Sequence, residues 1–366
     1  MNERIRVFDG LRGIAILLVI WHHLFSSTTG PGFVALGPEN IPFLPATFLA
    51  NGWLGVNLFF IISGFVLYYP YVSEKRSFLT LSDWREYYQN RARRLLPLYY
   101  VSVLFGAIFV YNPGTTGEWI RHMLIMLTAT FTFTKDLWAP PYNWVMWSLG
   151  IEIWFSILFP FLVILTNRFS VINVGIAVAI LALSCRYYGI STEKMMFGPY
   201  LGFIKDSLLG RLDDFYTGMF IAWFWYKKPG GQADHWSHPG ILFLGLCLLL
   251  VASHGWDYYI LNLISISATP LINNLLLLGF FLIIMYLLQS PRSLINQFVG
   301  TSFFVGTGRI CYSLYLWHGV ILLLLLGTQR NPLQVFLYLL VTFGVSFLSY
   351  RYIENNKWGA HKKSHP

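Results

Sequence analysis

The chain has 366 residues, 56% of them hydrophobic and only 11% charged. Soluble domains carry about a quarter charged residues, so the composition excludes a soluble globular protein and indicates an integral membrane protein. The net charge of +9 reads as loop orientation and not as a nucleic-acid footprint, because the basic residues gather between apolar runs. Cys185, Cys247 and Cys311 lie in or beside apolar runs with no paired spacing, which argues against a disulfide framework and against a zinc site.

The first apolar run follows Asp9 and Arg12 and lacks a small-residue cleavage site, so it is expected to be a retained span. Ten runs have the length to cross a hydrocarbon core of about 30 Å: 10–28, 52–70, 95–111, 147–166, 169–187, 207–226, 240–254, 270–288, 308–327 and 332–352. A further stretch, 118–134, carries Arg121 and His122 and is rich in Thr; it reads as interfacial or re-entrant. Ten spans put both termini in the cytoplasm. The inner segments then hold Arg4, Arg6, Lys75, Arg76, Arg91, Arg93, Arg94, Arg168, Lys227, Lys228 and Lys362, while the outer loop 255–269 has no Lys or Arg. The expected architecture is therefore an all-α, polytopic helix bundle over 1–356 with a short basic cytoplasmic tail at 357–366.

Polar residues inside such runs are costly, and an ionisable one is a candidate functional residue. In the first run Arg12 is followed eleven positions later by His23. Helical geometry puts the two on one face, separated by about 16 Å of rise, with His22 rotated about 100° away. A basic anchor at the membrane edge with an imidazole deep on the same face suggests an anionic substrate approaching a base. The loop 71–94 ends with Arg91, Arg93 and Arg94 at the mouth of the third span; guanidinium forks match phosphate oxygens. Glu152 lies about one and a half turns into the fourth span, where a histidine would be a natural partner. The sixth span opens with Asp213 and Asp214, which suit either the helix dipole or sugar hydroxyls. The ninth run mixes Ser313, Tyr315, Trp317 and His318, a face suited to a polar ring-shaped ligand, with His318 a second proton-transfer candidate. Glu354 reads as an interfacial ion-pair member. No Gly-rich phosphate loop, serine-hydrolase elbow or metal motif is present.

Together these stretches resemble the membrane acyltransferase-3 family. The resemblance rests on Phe8-Asp9-Gly10-Leu11-Arg12-Gly13 with His23, Ser63-Gly64-Phe65, Arg91-x-x-Arg94 with Pro97, Trp147-Ser148-Leu149 with Glu152, Arg211 with Asp214 and Gly218, and Ser313 to His318. It implies transfer from a cytoplasmic donor, acetyl-CoA or another acyl-CoA, to a hydroxyl of a glycan or glycolipid, without a metal, in a bacterial inner membrane. It further implies His23 as the catalytic histidine, Arg12 as its motif partner, Arg91 and Arg94 as the pair linked to donor handling, and Glu152 as the family glutamate. Asp214 stands where the family often has glutamate, Ile153 where a second acid is common, and Gly319 where many members continue Trp-Pro. On this reading His23, Glu152 and His318 form the catalytic set, Arg12, Arg91, Arg93 and Arg94 bind the donor, and Asp214, Tyr315 and Trp317 bind the acceptor. The expected partners are the acyl-CoA, the acceptor glycan and membrane lipids, with homo-oligomerisation left open and no nucleic acid. The main rival is a transporter or flippase for a lipid-linked glycan or other anion, which would show internal repeats or paired broken helices; a receptor or assembly factor is a second.

Overall fold

The computed structural model describes residues 2–25, 51–111, 114–192, 201–227, 233–260, 264–326 and 331–355. Among them there is no strand. The helices are α1 (Asn2–Phe25), α2 (Leu54–Val72), α3 (Leu81–Phe109), α4 (Thr116–Leu127), α5 (Met146–Phe169), α6 (Val171–Thr192), α7 (Leu212–Lys227), α8 (Pro239–Ile260), α9 (Thr269–Gln289), α10 (Leu294–Val299), α11 (Ser302–Arg309), α12 (Cys311–Leu325) and α13 (Pro332–Ser349), with a π-helical turn at Tyr350–Glu354. The expected tail 357–366 and residues 26–28 of the first run lie outside the described residues.

Each of the ten apolar runs falls on a helix. Among the described residues, eight helices are long and apolar enough to cross a membrane, and the ninth run is the pair α11 and α12, broken at Ile310. The run at 207–226 becomes α7, which has 16 residues and about 24 Å of rise. The stretch at 118–134 forms α4, whose 12 residues rise about 18 Å, too little to cross, followed by 3-10 turns.

The third helix starts earlier than the apolar run suggests. Thr80 and Asp83 form a capping box, with Asp83 N–H donating to Thr80 Oγ1 at 3.2 Å and Thr80 N–H to Asp83 Oδ2 at 3.0 Å. Two orphan amide groups are thereby satisfied and the helix nucleates fourteen residues before Leu95. The arginine stretch taken for loop is consequently helical: Arg91 is buried, whereas Arg93 and Arg94 are exposed. A second capping box, Asn331 with Gln334, starts α13 behind Pro332.

The chain folds as two compact units, 1–78 with 158–309, and 79–157 with 310–366. In the first, helices approach until backbone meets backbone. A Cβ on Gly64 of α2 would lie 1.9 Å from Phe215 O, and one on Gly218 of α7 would lie 1.8 Å from Ile61 O. The same reciprocity holds between α1 and α11, where Gly13 faces Phe304 O at 2.0 Å and Gly308 faces Asp9 O at 1.7 Å. Lipid tails are as apolar as leucine, so close van der Waals contact through small residues replaces the hydrophobic drive between helices. The glycines of the family-like motifs are thus packing residues that fix the polar side chains beside them.

The second unit packs α3, α4, the first half of α5, α12, α13 and the π turn. Tyr87 and Tyr88 of α3 donate to Ser156 O and Ile157 O of α5, each at 2.9 Å. Tyr312 of α12 donates to Leu95 O of α3 at 2.5 Å. Facing α12, the last helix makes one turn with five residues: Trp317 Nε1 donates to Ser349 Oγ at 2.7 Å and Ser313 Oγ to Glu354 Oε2 at 2.9 Å. The two donors are four residues apart and their acceptors five, and the π turn absorbs the extra residue.

Candidate active site

In the first unit, α1 carries both leading candidates. Arg12 is in mid-helix, half-buried, with its Nη1 3.4 Å from Asp9 Oδ1. Arg309 approaches the other oxygen of Asp9 at 4.0 Å. His22 and His23 occupy the last turn of α1, half-buried, with ring centroids 5.4 Å apart. Along α1 the arginine therefore stands near the middle and the imidazoles in the last described turn.

A buried ionic network lies across α2, α6, α7, α9 and the segment 201–211. Arg186 grips Asp213 with two bonds, 2.9 Å to Oδ1 and 2.6 Å to Oδ2, and also donates to Asn274 Oδ1 at 2.8 Å. Arg211 reaches Asp206 at 2.5 Å and donates to Asn273 Oδ1 at 2.9 Å. Lys205 lies 3.1 Å from Asp206. Asn57 donates to Asp214 Oδ1 at 2.5 Å and to Asn273 Oδ1 at 3.0 Å, and Arg211 stands 3.9 Å from Asp214 Oδ2. Arg186, Lys205 and Arg211 balance Asp206, Asp213 and Asp214, and all six are buried. Removing charges from water is repaid only when every partner is present, so this network tolerates no missing member. Burial alone would raise the Asp206 pKa, but the charges of Lys205 and Arg211 outweigh it and hold the carboxyl below its ordinary value. The expected acceptor-binding Asp214 is turned into this network. Asn57, Arg186, Lys205, Asp206 and Asn273 escaped the sequence reading, although an arginine or asparagine within an apolar run is a legible warning of such a contact.

In the second unit, Glu152 of α5 pairs with an arginine of α3. Arg91 Nη2 lies 3.1 Å from Glu152 Oε1, and the same guanidinium donates to Ser156 Oγ at 2.8 and 3.1 Å. Glu152 and Ser156 are one turn apart on α5, so one face of the helix receives the whole fork. Arg91 is committed to α5, and Arg93 and Arg94 are the exposed arginines of the cluster. Tyr315 donates to Val145 O at 2.7 Å and pairs with Ser148 at 2.6 Å. His318 is fully buried, and its Nδ1 lies 2.7 Å from Tyr315 O and 3.1 Å from Leu314 O. A carbonyl accepts only, so Nδ1 carries the proton. The polar atoms of Tyr315 and Trp317 thus bind neighbouring helices. No group of three or more His, Cys, Asp or Glu suited to a metal occurs among the described residues.

The acyltransferase-domain family model, family 3, matches residues 5–351. The chain belongs to this acyltransferase family. It is 26% identical over 346 residues to ORF330 of Acidianus two-tailed virus, an open reading frame carrying an acetyltransferase name, covering 92% of this chain and 88% of that protein. It is 24% identical over 397 residues to O-acetyltransferase OatA of Staphylococcus aureus, covering 94% of this chain and 56% of the relative. The peptidoglycan O-acetyltransferase OatA of Listeria monocytogenes is 24% identical over 385 residues, covering 94% and 54%. The chain therefore spans just over half the length of the OatA relatives. No solved structure matches it. The chain is thus a multi-pass membrane protein of the acyltransferase family.

Proposed function

We propose that this acyltransferase moves an acetyl group from cytoplasmic acyl-CoA to a hydroxyl of a glycan or glycolipid, with His23 as general base. The observation that carries the reading is the pair of half-buried imidazoles in the last turn of α1, on the helix that opens the family match. The relatives named as O-acetyltransferases supply the acyl group, and the one named for peptidoglycan supplies the glycan.

The chemistry balances on one imidazole. A ring nitrogen of His23 takes the acceptor O–H proton as the oxygen attacks the thioester carbonyl. The new C–O bond forms, the C–S bond breaks, and the leaving thiolate recovers the proton from the imidazolium. A transient acyl-imidazole is a variant of the same balance and declares itself by ping-pong kinetics. Arg93 and Arg94, exposed on α3, are assigned to the donor phosphates. Arg91 holds Glu152, and Arg12 with Asp9 and Arg309 fixes the charge on the helix that carries His23. The reading includes ten spans, both termini in the cytoplasm and a bacterial inner membrane.

The test is thioester loss from acetyl-CoA by purified protein with a mixed glycan extract, wild type against His23→Ala. Free CoA that appears only with wild type and extract supports the reading. Acetylation of the extract in membranes without thioester consumption points to a different acyl donor. Activity retained by a well-folded His23→Ala variant removes His23 from the mechanism.

A further inference from the structure

Two atoms of the buried network in the first unit have no hydrogen-bond partner: Asp214 Oδ2 and Asn273 Nδ2. Both side chains are buried, and they share two neighbours. Asn57 Nδ2 donates to Asp214 Oδ1 at 2.5 Å and to Asn273 Oδ1 at 3.0 Å. Arg211 Nη1 donates to Asn273 Oδ1 at 2.9 Å and stands 3.9 Å from Asp214 Oδ2. These bonds fix both amide orientations. Turning Asn273 over would set its NH2 against two donors, and turning Asn57 over would set its carbonyl against two acceptors. One closed ring of four side chains thus leaves a carboxylate oxygen and an amide NH2 unpaired, which is costly inside a protein.

The ring dictates what can pair them. An anion is repelled by Asp214. A cation meets the Arg211 guanidinium and leaves the Asn273 NH2 unpaired. An apolar group satisfies neither atom. A neutral hydroxyl gives its proton to Asp214 Oδ2 and accepts from Asn273 Nδ2 or Arg211 Nη1. The 3.9 Å between Arg211 Nη1 and Asp214 Oδ2 is too long for a direct bond, and an oxygen about 2.8 Å from each end closes it. Asn57, Asp214 and Asn273 lie in the first or second turns of α2, α7 and α9, so the ring is close to one end of the unit. The end of α1 is there too. A Cβ on Gly52, two residues before α2, would lie 3.0 Å from His22 Cβ, and Asn57 follows Gly52 by about 8 Å of helical rise.

We infer that Asp214, Asn273 and Arg211 form a subsite for one neutral hydroxyl of the acceptor sugar, at the end of the unit where α1 carries His22 and His23. This rests on the glycan reading above and adds the groups that recognise the acceptor. The two unpaired atoms are enclosed by protein and not by lipid, so a sugar is admitted by movement of the turn segment 201–211, which carries Arg211. Water offers the same O–H, and the experiment separates the two sources.

The experiment measures binding and acetylation of an N-acetylglucosamine oligomer and its monodeoxy analogues by the full chain in detergent, for wild type and Asn273→Asp. The aspartate keeps an oxygen for Asn57 and Arg211 and replaces the unpaired NH2 by a second acceptor. In wild type, loss of one hydroxyl other than the acetylated one is expected to raise the acceptor KM about tenfold or more, with the acetyl-CoA KM unchanged. In Asn273→Asp that analogue and the parent oligomer should share one raised KM. A merely structural role would weaken all analogues alike and keep the discrimination. Should the variant fail to fold, the wild-type series and a cryo-electron microscopy map decide: density bridging Asp214 and Asn273 only with the oligomer present is the expected result. The same density without the oligomer, unchanged on adding it, assigns the place to water and overturns the subsite. Equal KM for the oligomer and all its analogues, with wild type acetylating them, also overturns it and leaves the glycan reading standing. Wild type that neither binds nor acetylates the oligomer overturns both.

Discussion

Substituting Gly218→Ala tests whether backbone contact between α2 and α7 positions the buried network. The new Cβ would start 1.8 Å from Ile61 O, whereas an ordinary C···O contact is about 3.3–3.6 Å. The helices must part by roughly 1.5 Å, because the obstacle is a helical carbonyl and not a side chain that swings aside. Asn57 and Asp214 each sit one turn from this contact, and their 2.5 Å bond would stretch past hydrogen-bonding range. Overpacking costs about 1–3 kcal/mol and a lost bond to a charged group about 1.5–3 kcal/mol. Alanine returns about 1 kcal/mol of helix propensity over glycine, leaving a net loss of about 1.5–5 kcal/mol. The control is Gly344→Ala in α13, where a Cβ meets nothing within 4 Å and the propensity gain of about 1 kcal/mol should appear undiminished. Both variants are followed by thermal unfolding in detergent, read by size exclusion. If Gly218→Ala melts at or above the Gly344→Ala temperature, the close-contact argument is wrong.

Four other outcomes follow from the same contacts. Arg91→Met and Glu152→Met should each destabilise the protein, since each strands a partly buried partner, while the double variant should recover much of the loss; additive losses in unfolding measurements would show that the two do not interact. Asp206→Asn leaves Lys205 and Arg211 without their shared anion and is expected to cost about 3–5 kcal/mol, a value that near-wild-type stability would contradict. Because the folded pKa of Asp206 is depressed, its contribution is fully present above the ordinary carboxylate range and fades as pH falls through the lower folded value; acid titrations of wild type and Asp206→Asn should therefore converge at low pH. Replacing Arg93 and Arg94 should raise the acetyl-CoA KM far more than the acceptor KM, and an unchanged donor KM would reduce them to orientation signals.

Length, apolar content and positive charge in the connections established a membrane-spanning helical protein, because a backbone in hydrocarbon has to satisfy its own hydrogen bonds within each segment. The sequence also singled out the residues that lipid makes expensive, such as Arg12, His23, Glu152 and Asp214. Their partners were invisible, because a pairing between helices depends on register and facing, which periodicity along one run does not encode. Thus Glu152 takes Arg91 across two helices, and Asp214 takes Asn57, which stands 157 positions away. The motif glycines could be seen in the sequence, but their use could not. Only the packed helices show that Gly64 and Gly218 are empty where a Cβ would strike a carbonyl, and that this contact sets the distance at which the buried charges meet.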